Sequence, residues 1–219
     1  MNASRNIGFL SLIAVCLMLT GGVQASYIVN TGSGGTATNG LVVSASQFLA
    51  GQFTLTDSYI VNSIEGWFGP NSEGKLTAVI YDNREFDGIN LELPGSALFS
   101  QQFSFDSPSL DDYTWDGAYE LNWALDPGTY WLAFEGRRGV VNWGWGWMPG
   151  EAPNPLSMYA IKPNLPSWEP LYGDHLGMRI NGKRQINHLL ASSLFSQNNC
   201  LQINQETNHE HRKASRTLT

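Results

Sequence analysis

Between Ser26 and Ile180 apolar side chains recur at every second position, in short runs broken by Gly, Pro, Asn and Asp, and no long stretch keeps a helical period. A period of two sends alternate side chains to opposite faces of an extended backbone. Such a chain must fold from sheets that each hide one face. Runs at 27–30, 48–55, 59–68, 76–82, 97–105, 119–125, 129–135, 140–147, 158–161 and 176–180 read as strands. Many short strands with turn signals between them imply an all-β fold, a two-sheet antiparallel β-sandwich of jelly-roll type.

One hairpin is marked most clearly. Tyr119, Leu121, Trp123 and Leu125 alternate with Glu120, Asn122 and Ala124, and Asp126-Pro127-Gly128 then leads into Tyr130, Leu132 and Phe134. Proline presets φ at the first turn position and glycine accepts a positive φ at the second, so the spacing predicts a tight turn with two apolar rows facing one core. The stretch 148–172 carries six prolines and reads as an irregular excursion over the surface.

The ends of the chain differ from this body. Arg5, the apolar run 7–19 and Val23-Gln24-Ala25 have the pattern of a secretory leader cleaved after Ala25. No later segment offers about 20 consecutive apolar residues, so no stable membrane span is expected once residues 1–25 are removed. The domain plan is thus a leader at 1–25, a β-sandwich at 26–180 and a polar, low-structure tail at 181–219. Cys16 falls in the leader and leaves Cys200 without an internal disulfide partner, so packing has to carry the stability. The body holds 17 acidic against 6 basic side chains, net −11, which repels phosphate backbones and excludes nucleic acid as an expected partner.

The succession G-Q-F-T-L-T at Gly51, I-E-G-W-F-G at Ile64, L-T-A-V-I-Y-D at Leu76, L-P-G-S-A-L-F-S-Q-Q-F at Leu93 and L-N-W-A-L-D-P-G-T-Y-W-L-A-F-E-G at Leu121 resembles a group of exported bacterial PEP-CTERM proteins. The resemblance covers 26–180. It implies a secreted β-sandwich associated with the cell surface or extracellular polysaccharide, and it brings no catalytic residues. A member of that group would continue past Met178-Arg179-Ile180 into a V-P-E-P-like signal, a membrane helix and a basic cluster. The residues after Ile180 lack that pattern, so surface anchoring is not expected to carry over.

Several residue groups could carry function. In V-V-N-W-G-W-G-W-M-P-G, Val140 to Gly150, the indoles of Trp143, Trp145 and Trp147 share one strand face and Gly144 and Gly146 leave the other nearly bare. Each indole can bury about 150 to 250 Å², so burial in the core is the favoured reading, with Trp145 at its centre. The alternative is an exposed platform for sugars, whose C–H faces stack on aromatic rings while Asn142, Glu135 and Arg137 bond hydroxyls.

Asp106, Asp111, Asp112 and Asp116 crowd one loop, and Asp82, Asn83, Glu85 and Asp87 another. Both offer hard oxygens to calcium, although neither has the spaced ligands of a calcium loop. No other cofactor is indicated. Glu65 and Glu135 each precede glycine at a strand, and glycoside hydrolysis would need two carboxyls about 5 to 9 Å apart. His209-Glu210-His211 lacks the HExxH spacing of a zinc site. These features point to a secreted, non-enzymatic protein of the cell surface or extracellular matrix. A carbohydrate-binding module is the second reading and a jelly-roll glycoside hydrolase the third, with extracellular polysaccharide the candidate partner.

Overall fold

A computed structural model describes residues 26–36, 40–69, 71–86, 91–105, 112–137, 144–164 and 166–185. Residues 1–25, Cys200 and the His209–His211 stretch lie outside them. Among the described residues fourteen strands are formed: β1 (Ser26–Asn30), β2 (Gly40–Val43), β3 (Gln47–Leu55), β4 (Tyr59–Phe68), β5 (Asn71–Ser72), β6 (Gly74–Phe86) and β7 (Leu91–Phe105) in the first half. The second half supplies β8 (Thr114–Ala118), β9 (Trp123–Leu125), β10 (Gly128–Glu135), β11 (Trp145–Pro149), β12 (Tyr159–Pro163), β13 (Glu169–Leu171) and β14 (Met178–Arg184). Among the described residues no helix is long and apolar enough to cross a membrane.

The strands form an antiparallel β-sandwich. One sheet runs β13-β12-β3-β10-β6-β7; the facing sheet runs β1-β14-β4-β8, with β9 also paired to β4. A third, small sheet, β2-β11-β5, closes one end, where Trp147 O accepts from Gly69 N at 2.7 Å just past β4 and Lys75 O from Gly144 N at 3.1 Å at the start of β6.

Alternation explains the core. On β3 and β10 the side chains of Leu49, Phe53, Leu55, Leu132 and Phe134 turn inward to meet Val61, Ile64 and Phe68 of β4 and Met178 and Ile180 of β14. Phe134 meets Phe68 edge-on at 5.2 Å. Gly66 lies under this junction, where a Cβ would stand 2.7 Å from the Phe68 ring and 3.0 Å from Phe134.

The turn at Asp126-Pro127-Gly128 departs from the hairpin that its spacing predicts. β9 pairs with β4, while β10 pairs with β3 and β6, so the turn carries the chain from one sheet to the other. Leu121, Trp123 and Leu125 and the row on β10 do face one core, from opposite sides of it, whereas Tyr119 at the head of the first row turns out to solvent. Gly128 opens β10 opposite Leu55, and among the described residues the glycines with positive φ are Gly32, Gly35, Gly74 and Gly173. The nearest atoms to a Cβ at Gly128 would be those of the Tyr130 side chain, at 3.2 Å or more. Gly128→Ala should therefore leave the urea midpoint almost unchanged, within about 0.5 kcal/mol. A loss above roughly 1 kcal/mol would show that the left-handed conformation is needed there after all.

The outer face of the six-stranded sheet is covered rather than bare. Ala50, Val79, Trp131, Ala133 and Ala160 project from it and pack with Leu93 and Trp168 into a second apolar cluster. Gln52 Nε2 donates to Glu92, although β10 and β6 separate β3 from β7 in the sheet. The β6–β7 hairpin therefore folds back over β10. Trp168, ahead of β13, closes from the other side against Phe48 at 6.5 Å and Tyr81 at 5.7 Å.

Candidate functional site

The described part of the tryptophan stripe faces outward. Trp145 is 38% exposed and Trp147 half-buried, while Gly146 and the fully buried Met148 take the inward positions of β11. This reverses the burial favoured from indole size, and the cause is the backbone beneath. At Gly144 a Cβ would already be 3.0 Å from Ser72 O, and the core beside β11 is filled by Met148 with Val43 and Phe68. Trp145→Ala should thus cost about 1 kcal/mol or less in urea unfolding. A cost of about 3 to 5 kcal/mol would restore the buried reading.

Trp143 and Asn142 lie outside the described residues. Arg137 belongs to a different sheet's margin: its Nε donates to Glu135 Oε2 at 2.8 Å. Glu135 is almost fully buried on the outer face of β10 and also accepts from the Tyr81 hydroxyl. Burial and then the Glu135 charge push the Tyr81 hydroxyl up, so it stays a proton donor. Arg137 thus balances a buried carboxylate, which would be costly to leave unpaired, and that carboxylate is the partner its guanidinium takes here.

Of the calcium candidates, Asp87, Asp106 and Asp111 are outside the described residues. Asp116 Oδ1 accepts from Gly117 N at 2.7 Å, and Asp112 also has a partner. Asp82 accepts from Ser96 N, tying β6 to β7. Among the described residues no three His, Cys, Asp or Glu side chains converge as a metal site would require. Glu65 and Glu135 stand on opposite sheets and both point away from the shared core. Sheets pack about 10 Å apart, so the two carboxyls cannot flank one glycosidic bond.

What the fold does assemble is the outer face of β1, β14, β4 and β8. With Ile64, Gly66 and Phe68 turned inward, Glu65 and Trp67 of β4 must turn outward, as must Arg179 and Asn181 of β14, which alternate with the buried Met178, Ile180 and Gly182. Register then lines these residues up in rows across the strands. In the first row Tyr27 opposes Asn181, Asn181 opposes Ser63, and Tyr119 follows directly after Ala118, the partner of Ile64. Tyr27 and Tyr119 are each 51% exposed. Strands lie about 4.8 Å apart, so three spacings put these two tyrosines about 14 Å apart at the backbone, with Asn181 and Ser63 as the floor between them.

In the second row Asn30 opposes Arg179, Arg179 opposes Glu65, and Glu65 opposes Gly117. A Cβ at Gly117 would stand 1.9 Å from Ile64 O, so the row needs glycine there. The third row pairs Trp67 with Trp115, rings 5.4 Å apart, and Tyr113 stacks on Trp67 at 6.3 Å.

Polar contacts hold this face in place. Tyr119 donates to Glu65 Oε1 at 3.1 Å, Asn181 Nδ2 donates to Ser63 Oγ at 2.9 Å and to Glu65 Oε2 at 3.3 Å, and Trp67 Nε1 donates to Gly35 O at 2.9 Å. The Tyr119 ring is open to solvent but its hydroxyl is tucked against the carboxylate. Desolvation and then the Glu65 charge push that hydroxyl up.

Arg179 does not pair with Glu65 across the strands. Its guanidinium lies 3.6 Å over the Trp115 ring and 5.2 Å from the Tyr27 ring, and Nε donates to Asn30 Oδ1 at 3.2 Å. No carboxylate forms an ion pair with it among the described residues. The remaining guanidinium N–H groups can donate to a ligand held on the face. The arrangement joins exposed rings for stacking to donors and one carboxylate acceptor.

The sequence alone missed this face. Tyr113-Thr114-Trp115 does carry a period-two aromatic signal, but nothing short of the β4–β8 register places Trp67 beside Trp115. No protein family, curated protein or solved structure matches the chain.

Proposed function

We propose that this chain is an exported, non-enzymatic β-sandwich that binds extracellular polysaccharide on the outer face of its five-stranded sheet. The observation that carries the reading is the two half-exposed tyrosines facing each other across a polar floor, backed by the Trp67–Trp115–Arg179 cluster. Pyranose rings present C–H faces to aromatic rings and hydroxyls to planar donors and carboxylates, and this face supplies both. The leader-like residues 1–25 are in keeping with export. The charge of the body favours neutral glycans over polyanionic ones.

Affinity electrophoresis through gels containing soluble β-glucan, xylan, galactomannan or polygalacturonate tests this directly. Retardation by at least one neutral polysaccharide, with little by polygalacturonate, is the expected result. Free migration through every gel, together with no pull-down on insoluble cellulose or chitin, would overturn the reading.

A further inference from the structure

Residues 156–159, which lead into β12, and residues 170–175, which leave β13 for β14, enclose a cavity of about 160 Å³. Its floor is apolar. Tyr159 belongs to the main core, and Leu156 and Leu171 pack against that core. Tyr172, Asp174 and His175 line the cavity toward solvent, Tyr172 at 79% exposure. The His175 ring stacks on the Tyr159 ring, centroids 6.2 Å apart. Both segments run inside described stretches of the chain, 144–164 and 166–185.

Hydrogen bonds fix the walls. His175 N donates to Gly150 O at 2.8 Å, and Ala152 N donates to His175 O at 2.7 Å. The Tyr159 hydroxyl accepts from Leu156 N at 3.1 Å and donates to Leu176 O at 3.3 Å, while Ser157 Oγ donates to Gln52 Oε1 at 2.8 Å. A Cβ at Gly150 would collide with Asp174 Oδ1, so glycine leaves the space that this carboxylate occupies. Among the described residues no hydrogen bond or ion pair reaches the Asp174 carboxylate, and no Lys or Arg lines the cavity.

We infer that this cavity binds a methylated ammonium group of the kind that choline carries. Clefts for larger organic ligands enclose about 300 to 1,000 Å³, so this one has room for a single small group. A carboxylate without a counter-charge, in a body of net charge −11, selects a cation. A metal ion would need more ligands than converge here, since among the described residues no three His, Cys, Asp or Glu side chains come together. A primary ammonium or a sugar needs hydrogen-bonding partners on several sides, which Leu156, Met158 and Leu171 do not give. A methylated ammonium spreads its charge over C–H groups, so it can rest on those apolar walls and against the tyrosine rings while Asp174 balances its charge. The cavity shares no residue with the proposed glycan face, so the two readings stand or fall separately.

Amide chemical-shift titration of the isotope-labelled full chain with choline tests the inference, with the uncharged tert-butyl analogue of choline as the control. Choline should give saturable shifts confined to residues 150–159 and 170–176, and the neutral analogue should bind roughly tenfold or more weakly, because only the cation is drawn to Asp174 and the ring faces. Asp174→Asn should weaken choline by roughly the same factor and leave the neutral analogue unchanged. Tyr172→Ala, at a position too exposed to matter for folding, should weaken choline roughly threefold or more. Flotation with phosphatidylcholine vesicles separates two sources of the group. Co-flotation that Tyr172→Ala abolishes assigns it to a lipid head group, and choline binding without co-flotation assigns it to a soluble amine; either supports the site. Absence of saturable shifts, shifts confined to other residues, equal affinity for choline and its neutral analogue, or a Tyr172→Ala chain that binds choline as wild type does overturns the inference.

Discussion

Trp131→Ala should lower the unfolding free energy by about 3 to 5 kcal/mol, read as a fall in the urea midpoint at unchanged slope. Trp131 is fully buried at the middle of β10, on the face turned away from the main core. Its ring fills the space under the folded-back hairpin, with Leu93 above and Ala50, Ala133 and Ala160 around it. Its Nε1 also donates to Asn83 Oδ1 at 2.8 Å, and Asn83 in turn accepts from Gln52 Nε2 at 3.3 Å. Truncation would open a cavity that small alanines cannot refill and would strip Asn83 of one partner. A domain of ordinary stability has only about 5 to 15 kcal/mol to lose, so the alanine variant stands near the limit of folding. Trp131→Phe keeps most of the volume and should cost less, about 1 to 2 kcal/mol. A cost below about 1 kcal/mol for the alanine variant would show that the hairpin does not pack on the sheet as described.

The second large effect is on binding. The double variant Tyr27→Ala with Tyr119→Ala should weaken polysaccharide binding by about 2 kcal/mol or more, roughly thirtyfold in Kd, with stability changed by about 1 kcal/mol or less. Both rings are half exposed, so their removal takes little packing with it. They bound the row whose floor is Asn181 and Ser63, and Tyr119 also orients Glu65. Tyr119→Phe separates the two contributions, because it keeps the ring and drops the bond to Glu65. Retention by the double variant equal to that of wild type, in a glycan gel that retards wild type, would move the site away from this face.

These two tyrosines show how little of the binding face could be read before the fold was known. Tyr27 and Tyr119 are separated by more than half of the body, and each alone is an ordinary strand-end aromatic. Their common row exists because β1 and β8 become the two edges of one sheet, with β14 and β4 between them. The tryptophans at 143, 145 and 147 had the louder pattern, yet the described pair sits on β11 of the small end sheet. Indole area argued for burial there. It did not account for the backbone close beneath Gly144.

Alternation of apolar and polar residues by itself determined that the body is all-β, where most of its longer strands run, and which side of each strand turns inward. Leu49, Phe53, Ile64, Leu132 and Phe134 are core because each occupies the apolar phase of a period-two run, whatever strand lies beside it. Only the tertiary structure decided which strands are neighbours. The run that ends at Leu125 and the run that begins at Gly128 carry matching apolar rows, and rows that match equally well across one sheet or across the gap between two sheets leave the pairing undetermined. The hydrogen-bonded partners were selected by long-range packing, with β9 drawn to β4 and β10 to the slot between β3 and β6. A short strand such as Thr114–Ala118, interrupted by Asp116 and Gly117, has no usable apolar period of its own. It becomes a strand because β4 offers it a ladder, and with it come Trp115 and the candidate binding face.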